Sequence, residues 1–92
     1  MDDAVAGADA VPRRVLGTRI RRVKGDFLIG DEDKALLLED IAAFIFVSLD
    51  GRRSTAAVAR LVADEYGVDE EQALEDVLEF LGDLVEKKIV EW

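Results

Sequence analysis

Apolar and polar positions follow two different periods along the chain. Between Arg13 and Leu38 the apolar runs are short and separated by turn residues; after Glu39 they recur every three or four positions. In VLGTRIRRV (15–23), Leu16, Thr18 and Ile20 fall on one face of an extended segment and Arg19 and Arg21 on the other. Lys24-Gly25-Asp26 reads as a turn, Phe27 to Ile29 as a short buried strand, Gly30 to Asp33 as a second turn and Ala35 to Leu38 as a third strand. Three short strands joined by tight turns make an antiparallel meander.

In the helical part, Asp40 is placed to cap a helix over 41–49 that is apolar on nearly every face, and such a helix is expected to be buried all round. Asp50-Gly51 ends it. Ser54 or Thr55 opens a second helix, which carries Val58, Leu61, Val62 and Tyr66 and stops at Gly67. Asp69 and Gln72 have the spacing of a capping box and open the longest helix, running to about Lys88, with Leu74, Val77, Leu78, Leu81, Leu84 and Val85 on one face. Ile89, Val90 and Trp92 form an apolar tail. The fold class expected is α+β and winged helix-turn-helix-like, a three-stranded antiparallel sheet followed by three helices. Residues 1–12, mostly Ala, Gly, Asp and scattered Val and closed by the only proline, read as a flexible tail, and 13–92 as a single domain.

Composition narrows the chemistry. The 92 residues contain neither Cys nor His, which removes disulfides, thiol nucleophiles, the usual zinc ligands and any Ser-His-Asp or Cys-His constellation. Carboxylate pairs can be drawn among Glu75, Asp76, Glu79 and Asp83, but a charged helix side is ordinarily a solvated face, and acid–base catalysis needs a pKa shifted by burial or a close neighbour. Gly30 to Asp33 lacks the spaced oxygen ligands and terminal Glu of an EF-hand loop. The chain therefore reads as non-catalytic, with no cofactor and no metal. Its longest apolar run, Ile41 to Val47, falls far short of the roughly 20 residues that span a bilayer, and the acidic start has no apolar signal core, so the expected location is the cytoplasm.

The net charge of −9 is unevenly spread. Residues 1–24 hold six bases and three acids, residues 25–92 six bases and eighteen acids, and the segment from Asp69 to Glu86 eight acids and no base. A winged-helix DNA-binding regulator is the first alternative, drawing on Arg13, Arg14, Arg19, Arg21, Arg22 and Lys24. The clearest candidate recognition helix, however, is the acidic third one, which phosphates repel, so no nucleic-acid or membrane partner is expected. An acyl-carrier-like protein is a weaker alternative: it needs an attachment serine in an Asp-Ser-Leu context, and Ser48 and Ser54 both lack it.

The third strand and third helix are the informative pair. At the edge of a meander, Lys34, Ala35, Leu36, Leu37 and Leu38 present unpaired backbone groups beside apolar side chains, which is an aggregation liability or a docking site. Ala73 and Phe80 widen the apolar stripe of the helix beyond a simple core face. From LLLED at 36–40 into IAAFIF, through Leu49-Asp50-Gly51, Thr55 with Val58-Ala59, Tyr66, Asp76-Val77, Phe80-Leu81 and Leu84, to Ile89-Val90, the chain resembles the PqqD-like family of RiPP recognition elements. It departs from that family's pattern at Glu39, where Asn is frequent, and at Lys88, where Gly precedes the terminal apolar pair. The resemblance implies a non-catalytic adaptor that binds the leader segment of a ribosomally made precursor peptide by β-augmentation and presents it to a peptide-modifying enzyme: a radical SAM enzyme, a cyclase or a leader peptidase. It places the leader along Lys34 to Leu38 and against Ala73, Val77, Phe80 and Leu84, with Asp76, Asp83 and Lys87 on the rim. An exposed edge leaves monomer and homodimer both open.

Overall fold

The computed structural model describes residues 7–30 and 35–92. Among these described residues, five strands and three helices follow in chain order: β1 (Arg13–Arg14), β2 (Ile20–Val23), β3 (Asp26–Ile29), β4 (Leu36–Leu38), α1 (Asp40–Ser48), α2 (Thr55–Tyr66), α3 (Glu70–Glu86) and β5 (Val90–Glu91). The meander expected from the sequence is the antiparallel sheet β2-β3-β4. Its first hairpin turns on two residues, since Val23 pairs with Asp26, and both turn residues have positive φ, 55° at Lys24 and 92° at Gly25. That is the type I′ geometry whose twist suits a two-residue hairpin, and it explains the glycine.

The first strand is shorter than the alternation over 15–23 predicts. Val15 to Thr18 form a turn in which Thr18 N–H and Oγ1–H both donate to the Val15 carbonyl, at 3.3 and 2.7 Å, and Gly17 takes φ 87°. A positive φ at the third turn position is the type II requirement, and it leaves Leu16 96% exposed. Upstream, β1 pairs antiparallel with β5 in a two-stranded sheet, so the apolar tail is a strand that ties the two ends of the domain together.

Residues 7–12, read above as part of a flexible tail, lie against the start of α2. The Ala10 carbonyl accepts from Thr55 N–H at 2.8 Å and from Thr55 Oγ1–H at 3.1 Å, Ala8 accepts from Ala56 N–H at 3.0 Å, and Pro12 is fully buried. Thr55 itself has no exposed surface, so these bonds satisfy a buried hydroxyl and an orphan helix N–H together.

Helix starts follow side-chain oxygens except at α1. Ser54 Oγ accepts from Ala57 N–H, and the Asp69 carboxylate accepts from Glu71 and Gln72 N–H. The reciprocal half of the capping box is absent: Gln72 donates forward to Asp76 Oδ1 at 3.0 Å. Asp40 is not the cap of α1 but its first residue, at φ 50°, and Glu39 precedes it without a side-chain capping bond. Gly67 ends α2 in the left-handed conformation, and α3 closes at Glu86, two residues before the expected end.

The core lies between the sheet and the helices. Phe27 and Ile29 of β3, Leu38 of β4, Ile45 and Phe46 of α1, Val58 and Val62 of α2, Val77, Leu81 and Leu84 of α3, and Val90 of β5 are all buried in it. Phe27 and Phe46 meet at 5.7 Å in a tilted pair. One expectation fails here. Although α1 is apolar all round, it is buried on one side only, with Ala43, Ile45, Phe46 and Ser48 inward and Ile41 and Val47 exposed.

Candidate functional site

Strand β4 has one neighbour. It pairs with β3 through Leu36↔Ile29, Leu37↔Leu28 and Leu38↔Phe27, and among the described residues no strand lies on its other side. Alternation along it is visible in the burial: Leu38 is turned into the core, Leu36 is half-buried against it, and Leu37 points the other way with 49% of its surface exposed. Ala35 is exposed, and Lys34 lies outside the described residues.

On α3 the expected site residues separate into two groups. Asp76, Phe80, Asp83 and Lys87 recur at intervals of four, three and four and so share one flank of the helix and its C-cap, with Phe80 half-buried against the core and the three charged residues exposed. Ala73, Val77 and Leu84 have 0, 0 and 1% exposure. These three present almost no side-chain surface and serve to seat α3. The physical reason is the direction of burial. Ala73, Val77, Leu81 and Leu84 together point α3 at α2 and the core, and Phe80 sits at the margin of that stripe.

The two halves of the site each find their main packing elsewhere. α3 packs chiefly on α2 and β5, and β4 on β3. What links them is a shared floor, since Leu36 and Phe80 both lean on the same buried cluster.

The basic segment is less available than its sequence suggests. Arg14 Nη2 donates to the Phe46 carbonyl at 2.8 Å, its guanidinium lies 4.3 Å from the centre of the Phe46 ring, and its buried Nε has no hydrogen-bond partner among the described residues. Burial lowers its pKa. Arg22 stacks 5.3 Å over the Phe27 ring. These arginines hold fold elements together, a role that neither composition nor spacing reveals. Among the described residues no group of three or more acids, His or Cys is arranged to hold a metal, and no helix is long and apolar enough to cross a membrane.

Taken together, these features define a small α+β module with a sheet-edge strand paired on one side only among the described residues and a half-buried aromatic on the flank of its last helix. The sequence profile described as "Coenzyme PQQ synthesis protein D (PqqD)" matches residues 27–90, and the chain belongs to that family. It is similar to the "PqqA binding protein" of Gluconobacter oxydans, 32% identical over 69 residues that cover 75% of this chain and 72% of that one. A second "PqqA binding protein", from Rhizobium meliloti, is 27% identical over 98% of this chain and 94% of the relative. The fold matches the solution NMR structure of the PqqD truncation of Methylobacterium extorquens PqqCD, described as a functional and stand-alone RiPP recognition element, with a TM-score of 0.77 over 94% of each chain at 24% identity.

Proposed function

We propose that this chain is a non-catalytic adaptor that binds the leader segment of a ribosomally synthesised precursor peptide and delivers the peptide to a modifying enzyme. The observation that carries the reading is the unpaired outer edge of β4, flanked by Leu36 and Leu37. An extended leader added there gains main-chain hydrogen bonds without regard to sequence, and its alternate side chains meet two different environments. Those directed to the core side pass Leu36 and reach toward Phe80; those directed outward pass Leu37. Asp76, Asp83 and Lys87 flank Phe80 and select the charge of leader residues beside the apolar anchor. Membership in a family whose relatives are named for binding PqqA supports the same reading. A relative named "Bifunctional coenzyme PQQ synthesis protein C/D", 28% identical over 96% of this chain and 24% of the relative, is consistent with work done beside a second synthesis protein.

No enzyme is needed for such a task. A disordered leader gives up conformational entropy on docking, and a preformed strand edge keeps the cost to one partner. Isothermal titration with the leader of the precursor encoded with this chain tests the reading. Saturable one-to-one binding that survives removal of the core segment supports it, and binding that requires the core segment alone contradicts it.

A further inference from the structure

The outer face of α1 departs from every other exposed helix face of the molecule. The exposed sides of α2 and α3 are charged, with Arg60, Asp64 and Glu65 on one and Glu71, Glu75 and Glu79 on the other. On α1 the outward positions Ile41, Phe44 and Val47 carry no charge; Ile41 is 41% and Val47 50% exposed. Phe44 meets Tyr66 edge-on at 5.6 Å, and Tyr66 is itself 40% exposed, so the apolar face continues onto the end of α2. Between this face and the β2–β3 turn lies an open cleft of about 370 Å³ floored by Ala43, Phe44 and Val47 and rimmed by Lys24, Asp26 and Asp40. A contiguous apolar surface rimmed by polar groups is the signature of a protein-docking site.

Charge decides the occupant. The rim holds two carboxylates and one ammonium, and the chain as a whole carries −9. A second copy would bring the same acidic rim and the same −9 and is repelled at long range, whereas a basic surface is drawn in. We propose that the α1 face docks a protein surface presenting one large apolar side chain flanked by Lys or Arg, the side chain entering the cleft and the bases pairing with Asp26 and Asp40. The cleft is lined by residues other than those of β4, and docking there does not depend on the leader reading.

The test is an NMR titration of the ¹⁵N-labelled full chain with an acetylated ten-residue peptide bearing one Trp and four Lys. Two control peptides replace the Trp with Ser or the four Lys with Glu. The expected result is amide shifts confined to 24–26 and 40–47, at least tenfold weaker binding by either control peptide and by Val47→Lys, and residues 35–38 unmoved. Val47 is half-exposed, so this variant folds; Val47→Ser, which adds no charge, is expected to weaken binding less than Val47→Lys. Shifts centred on the acids of α3, equal binding by the Trp-to-Ser control, or concentration-dependent shifts of 40–47 without peptide each overturn the proposal, the last by showing that a second copy is the occupant.

Discussion

Replacing Leu37 with Lys separates the proposed docking role of β4 from its structural role. Leu37 is 49% exposed and makes its cross-strand contact with Leu28 on the face away from the core, so the fold does not depend on it. Burying a whole leucine side chain stabilises by about 1.5–3 kcal/mol, so covering the exposed half on leader docking contributes about 0.7–1.5 kcal/mol. Losing that contribution weakens binding by about 3- to 12-fold. The lysine adds to the loss, because a charged side chain on a strand edge opposes the addition of another strand. Isothermal titration of wild type and Leu37→Lys with the same leader peptide, paired with urea melts of both, reads the two effects apart. The expected result is a melt within about 0.5 kcal/mol of wild type, as for an ordinary surface change, and an affinity at least threefold lower. Unchanged affinity in a variant that melts like wild type would refute strand addition at β4.

Phe80→Ala should weaken leader binding while costing less stability than the 3–5 kcal/mol or so typical of a fully buried Phe, because the ring is only half inside; Leu81→Ala, at 0% exposure, should instead cost about 2–5 kcal/mol, both read from urea melts. Thr55→Val removes the hydroxyl bond to the Ala10 carbonyl and should cost about 1 kcal/mol, with faster amide exchange at Ala8 and Ala10 as the local signature. Arg14→Ala should destabilise by about 1.5–3 kcal/mol through loss of a charged hydrogen bond, measured in the same melts. The Asp50 carboxyl sits below its ordinary range because it accepts from Arg53 and Arg52 N–H, so its contribution is present above the usual carboxylate pKa and disappears as pH falls through the lowered value. Asp50→Asn should therefore narrow its stability gap to wild type as the pH of thermal melts is taken below about 4.

The parts of the fold legible in the sequence are those set by local chemistry. Lys24-Gly25 marks its hairpin because few residues adopt two successive positive φ angles, and Ser54, Gly67 and Asp69 mark helix ends because the orphan backbone groups need partners. The pairing of β1 with β5 was not legible: each is two residues long, and their register joins Arg13 to Glu91 across nearly the whole chain. The site was half legible. Spacing shows that Ala73, Val77, Phe80 and Leu84 lie near one another on α3, but only the direction in which α3 meets α2 tells which belong to the core and which to the margin. For α1 the pattern misled, since an all-apolar helix reads as buried whether a partner covers it or the protein's own chain does.

The most direct measurement is the backbone amide map of the full chain titrated with the leader peptide, combined with hydrogen exchange at β4. The result expected is that amides 35–38 shift and exchange more slowly as the new strand forms, with Asp76, Phe80, Asp83 and Lys87 shifting beside them. Shifts confined to 13–24 or to 52–60, with 35–38 unmoved and exchanging as before, would place the peptide elsewhere and contradict docking at the sheet edge.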